Sequence, residues 1–119
     1  LLGDIYFEEQ DFAKAVEFYE KTLDLAPDHV RALNNLAWLY ATCKDPEFFH
    51  PGKALDLARR AAALSDEPHI LDTLAEAWYV NGHTQDAIAA ATKAVDRAGN
   101  DSAYFRRQLE KFQAAEKNF

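Results

Sequence analysis

Cysteine occurs once in the 119 residues, so no internal disulfide can staple the chain, and the cysteine framework of a small secreted scaffold is missing. Glycine occurs only four times, never in a run of the kind that cradles phosphate, and Gly52, Gly82 and Gly99 fall where turns are expected. No stretch of about 18 apolar residues is available to span a bilayer, and no basic start followed by an apolar run marks a secretory signal. Direct membrane insertion is therefore not expected, and a soluble protein is. Positive charge is scarce as well: 13 Lys and Arg stand against 20 Asp and Glu, a net charge of −7. A field of that sign repels phosphate, which argues against nucleic acid as a partner.

Constellations for chemistry are missing too. Cys43, Ser65 and Ser102 have no His and acid placed beside them by sequence to activate a nucleophile. His29, His50, His69 and His83 are scattered at helix starts and turns. Cys43 and His50 alone do not make a closed metal site, so neither a metal nor another cofactor is expected. An enzyme is not expected.

What is present is helical pattern. Apolar residues make up 49% of the chain, enough for a core, and no strand-like alternation of useful length interrupts the helical period. In "VRALNNLAWLYA" the residues Leu33, Leu36, Leu39 and Tyr40 form one stripe, and "HILDTLAEAWYV" repeats it with Ile70, Leu71, Leu74 and Trp78. Each segment is followed by an alanine-rich one, with Ala54, Ala58 and Ala61 in the first and Ala87, Ala91 and Ala94 in the second. Small residues at every turn let two helix backbones pack closely. Seven helices are predicted, over 1–8, 12–26, 29–42, 52–64, 68–80, 84–98 and 102–117. Asp28 is the expected cap of the third, Pro68 suits a first turn, Asn81-Gly82 stops a helix, and Gly99 with Asp101 ends one helix and caps the next.

A repeat underlies this order. Leu2-Gly3 and Tyr6 are matched 34 residues later by Leu36-Ala37 and Tyr40, and again by Leu74-Ala75 and Trp78. On the second helices Ala15 and Tyr19 correspond to Ala54 and Ala58, then to Ala87 and Ala91. This pattern resembles the tetratricopeptide repeat. Pro27 sits where that family often ends a repeat; the second and third units lack the closing proline, and the leading large residue of the first lies before Leu1. "NNLAWLYATCKDP" looks like bacterial members of the family, whose compartment is the cytoplasm or periplasm. The resemblance implies an all-α fold, a right-handed superhelix of three hairpins with a C-terminal capping helix. The expected units are 1–29, truncated at its start, then 30–67 with a loop inserted at 43–51, then 68–100, with the capping helix at 101–119.

The inserted loop is visible in spacing alone. Tyr40 to Ala54 spans 14 residues, whereas Tyr6 to Ala15 and Trp78 to Ala87 each span 9. Pro46 and Pro51 bar helix continuation there. Phe48 and Phe49 are expected to fold back and cap the hairpin, with docking of a partner as the alternative.

In an array of this family the first helix of each hairpin lines the concave side, so the resemblance implies a groove. From the first unit it takes Asp4, Phe7 and Glu8; from the second Arg31, Asn34, Asn35, Trp38 and Thr42; from the third His69, Asp72, Thr73, Glu76 and Tyr79. Trp38 lies off the stripe of Leu33, Leu36 and Tyr40, which leaves two readings, an aromatic hot spot on the inner wall or packing between units. One subclass of the family clamps a terminal carboxylate with Lys, Asn and Arg. Here Asn35 matches one Asn, but Asp4 replaces another, and His69 and Thr73 stand in place of Lys and Arg, so that clamp is not assembled. Asp4, Glu8, Asp72 and Glu76 against Arg31 favour a neutral or basic peptide. On the last helix Phe105, Leu109 and Phe112 make a covering stripe, while Arg106, Arg107, Glu110, Lys111 and Glu116 keep the outer face wet. A finished end and a start at Leu1 rather than Met fit the C-terminal part of a longer array. The expected function is non-enzymatic protein–protein interaction through the groove. The alternative is a structural element that stacks on its own kind, as a homo-oligomer, through its N-terminal repeat.

Overall fold

The computed structural model describes residues 1–117, so the final two positions of the expected capping segment, 118 and 119, lie outside the described residues. The chain forms α1 (Leu2–Glu8), α2 (Phe12–Leu25), α3 (Val30–Thr42), α4 (Pro51–Leu64), α5 (Pro68–Val80) and α6 (Thr84–Ala98). A 3-10 turn over Gly99–Asp101 leads into α7 (Ala103–Lys117), and no strand occurs among the described residues. The fold is the expected all-helical solenoid. The helices pair as α1 with α2, α3 with α4 and α5 with α6, and α7 packs on the last pair. Along the inner side α3 also touches α5 directly. The body measures 38 × 29 × 23 Å.

The stripes and the small residues explain the pairing. Leu33, Leu36, Leu39 and Tyr40 are buried on α3, and Ala54, Ala58 and Ala61 on α4 are fully enclosed. Ala87, Ala91 and Ala94 do the same for α6. At the first hairpin the small residue is Gly3, and a Cβ added there would lie 2.7 Å from the Tyr19 ring. Buried Tyr19 therefore packs its ring close against α1 at Gly3, a contact that an alanine would obstruct.

The turns inside the hairpins repeat as well. Gln10 donates its backbone N–H to Phe7 and Asp11 to Tyr6, and Gly82 and His83 do the same to Tyr79 and Trp78. The residue in the left-handed conformation is Gly82 in the third hairpin, at φ 81°, and Gln10 in the first, at φ 61°. Glycine takes that conformation without strain, whereas glutamine must bear the clash of its Cβ.

Two expected caps shift. Helix α3 is capped by His29 and not by Asp28: His29 is the last non-helical residue, and its Nδ1 accepts from the Ala32 N–H at 3.1 Å. Asp101 lies inside the 3-10 turn and α7 begins two residues later, after buried Ser102.

The middle hairpin is joined by residues 43–50, where the other two are joined by 9–11 and 81–83. The His50 N–H bonds the Tyr40 carbonyl at 3.0 Å, their rings meet edge-on, and Pro51 opens α4. Phe48 is half-buried against the core, its ring 6.1 Å from that of Phe12 in the first hairpin. Phe49, by contrast, stays exposed. The fold-back expected of both phenylalanines is thus made by Phe48 alone, whose ring finds the first hairpin to pack on.

Candidate functional site: a groove on the inner face

The inner helices leave a groove of about 490 Å³ between α1, α3, α5 and the start of α7. From α1 it takes Asp4, Phe7 and Glu8, from α3 Arg31, Asn34, Asn35 and Trp38, and from α5 His69, Asp72 and Thr73. Thr42, Glu76 and Tyr79 do not line it. Thr42 turns its hydroxyl back to the Trp38 carbonyl at 2.7 Å. Glu76 and Tyr79 are covered by α7: Lys111 pairs with Glu76 at 2.9 Å, and Phe112 packs on the Tyr79 ring with centroids 5.1 Å apart. Three further residues complete the lining, Tyr19 from α2 and Tyr104 and Phe105 from α7.

The floor is polar. Asn34, Asp72 and Thr73 are buried, at positions where two packed helices ordinarily place apolar side chains. Thr73 satisfies its hydroxyl on the His69 carbonyl at 3.0 Å, but Asn34 Oδ1 has no hydrogen-bond partner among the described residues. Trp38 is half-buried on the wall and takes no part in the apolar clusters of the core.

Two carboxylates frame the groove, and each is held by a tyrosine. At one end Asp4 accepts from the Tyr19 hydroxyl, from Asn35 Nδ2 at 2.7 Å and from Arg31 at 3.3 Å. Burial pushes the Asp4 carboxyl up, but hydrogen bonds, those from Tyr19 and Asn35 among them, outweigh it, and its pKa falls below the ordinary value. At the other end Asp72 accepts from the Tyr104 hydroxyl at 3.0 Å and from Gln108 Nε2 at 3.1 Å. Here burial wins over those two donors, and the pKa rises. Both tyrosines respond to burial and to the adjacent carboxylate by holding their protons more tightly.

The lining from α7 has a sequence signal beside the stripe of Phe105, Leu109 and Phe112. Tyr104, Gln108 and Lys111 lie at spacings of four and three, a polar row that a helix presents to one neighbour. Read alone, the row passes for a solvated face; α5 gives it Asp72 and Glu76 as partners. Among the described residues no group of three His, Cys, Asp or Glu is placed to hold a metal ion, and no helix is long and apolar enough to cross a membrane.

Stacked helical hairpins with a groove along their inner helices make this an interaction module in class. Two models of the tetratricopeptide repeat match the chain, one over residues 1–29 and one over 18–47, and support its likeness to that family. Repeats of this family generally mediate protein–protein contacts, and the family is generally a non-enzymatic scaffold. Over 45 residues, 38% of its length, the chain is 49% identical to the uncharacterized protein ycf37 of Pyropia yezoensis, and the match covers 25% of that relative.

Proposed function

We propose that the chain binds a segment of a partner protein along the inner groove. The observation that carries this reading is the groove's floor. Buried Asn34, whose Oδ1 is unbonded, and buried Asp72, which no cation pairs among the described residues, cost folding free energy relative to an apolar floor, a cost that a ligand able to bond them offsets. Asn34 and Asn35 carry amides that both donate and accept, which suits an extended peptide backbone in either direction. Trp38 supplies the aromatic wall against which a side chain of the ligand packs. Asp4, Glu8 and Asp72 against the single Arg31 favour a neutral or basic segment, and Thr42, Glu76 and Tyr79 are left to supporting roles.

The repeat units of this reading are 1–29, 30–67 and 68–100, closed by the segment from 101. Capture of partners with the whole chain, followed by calorimetry on the captured protein, tests it. Trp38→Ala should weaken binding by about 2 kcal/mol or more while leaving the helical spectrum unchanged. Unchanged affinity in that variant refutes the groove reading.

A second reading, self-stacking through the first repeat, draws on Leu2 (48% exposed) and Ile5 (53% exposed) of α1 as apolar contacts. It requires sedimentation that depends on protein concentration and is abolished by Ile5→Glu.

A further inference from the structure

Asp72 and Asn34 face the same groove from α5 and α3, and each is left with something unmet. Asp72 is 5% exposed and receives only neutral donors, the Tyr104 hydroxyl and the Gln108 amide. Among the described residues no ion pair reaches it, and Lys111 is committed to Glu76 at 2.9 Å. Buried carboxylates are ordinarily paired with a cation. Asn34 is 6% exposed, and its Oδ1 accepts nothing. A missing positive charge and a missing hydrogen-bond donor thus occur on one floor, and a single group can supply both.

The rest of the lining selects the same group. Arg31, the one Lys or Arg in the groove, already donates to Asp4, so an incoming anion would meet Asp72 and Glu8 without a free cation to receive it. Trp38, one helical turn beyond Asn34, and Tyr104 and Phe105 from α7 add aromatic rings to the lining, the surface on which the apolar stem and charged head of a long basic side chain pack. A half-turn about the terminal torsion of Asn34 exchanges its amide oxygen and nitrogen, and this is the movement that would present the enclosed Oδ1 to an incoming donor.

The geometry points to a subsite for a lysine or arginine side chain of the bound segment, its N–H donors shared between the Asp72 carboxylate and Asn34 Oδ1. This rests on the groove reading and names the residue type that the groove selects. Ammonium and guanidinium share the chemistry, and separate probes tell them apart.

The test is an NMR titration of the whole chain with Nα-acetyl-lysine amide, Nα-acetyl-arginine amide and the uncharged Nα-acetyl-norleucine amide. The side-chain amide of Asn34 and the indole of Trp38 are the reporters. One or both cations should shift these signals saturably, in the roughly millimolar range expected for ligands of this size. Norleucine amide should not, and Asp72→Asn should weaken the response at least about tenfold. An equal response to norleucine amide, an unweakened response in Asp72→Asn, or no response to either cation overturns the subsite. The groove reading is decided separately by Trp38→Ala against the captured partner. Loss of that binding together with silence toward both cations means that the groove is right and the subsite wrong.

Discussion

The Tyr104 hydroxyl donates to Asp72 at 3.0 Å, so the first turn of the last helix reaches across to the inner helix of the third hairpin and ends the groove there. Three contacts continue the seam: Gln108 with Asp72, Lys111 with Glu76, and Phe112 with Tyr79. A helix that reads as an apolar lid in sequence is held on α5 by polar bonds as well, and the open stretch of inner surface runs from α1 to Asp72.

Asp72 gives the fold a pH dependence whose sign follows from its raised pKa. A carboxyl that ionises less readily in the folded state than its ordinary 3.8 costs stability once it is charged. That cost is absent below 3.8 and complete above the raised folded value. Asp72→Asn should therefore gain on the parent as pH rises through this window, with a constant difference beyond it. Urea unfolding of both proteins across acid to neutral pH measures it. A difference that shrinks as pH rises would contradict the burial of Asp72.

The loop between α3 and α4 separates its two phenylalanines by function. Phe48 packs against Phe12 across two hairpins, whereas Phe49 is exposed. Phe48→Ala should cost about 1 to 3 kcal/mol, less than a fully buried phenylalanine, and Phe49→Ala less than about 0.5 kcal/mol. Chemical denaturation of the two variants decides it, and equal losses would show that the loop packs through both rings.

Gln10 occupies the turn position that Gly82 fills in the third hairpin, with φ at 61° against 81°. Gln10→Gly should relieve the left-handed strain and raise stability by about 0.5 to 1 kcal/mol, net of glycine's greater freedom in the unfolded chain. A lower melting temperature in this variant would mean that the Gln10 side chain contributes more than its backbone costs.

Much of this fold was legible in the sequence because its rules are local. The stripe of Leu33, Leu36, Leu39 and Tyr40 and the alanines of α4 and α6 dictate helix, face and close pairing together, and the five-residue excess between Tyr40 and Ala54 locates the loop. What escaped depends on contacts between distant segments. Asp28 and His29 are both able to cap α3, and only the backbone path chooses His29. Phe48 and Phe49 are alike until Phe12 arrives from another hairpin. Glu76 and Tyr79 share a helix face with Asp72, and it is α7 that covers them. Tyr19 enters the groove because Gly3 lets its ring lie against α1.

Site-specific photo-crosslinking tests most directly whether a partner lies along the inner face. Benzoylphenylalanine is placed singly at Glu8 and His69 on the groove, at Phe49 on the loop, and at Lys93 on α6, all of them exposed. The account predicts crosslinks to the same partner from Glu8 and His69 and none from Phe49 or Lys93. Crosslinks from Phe49 or Lys93, with Glu8 and His69 silent, would contradict it.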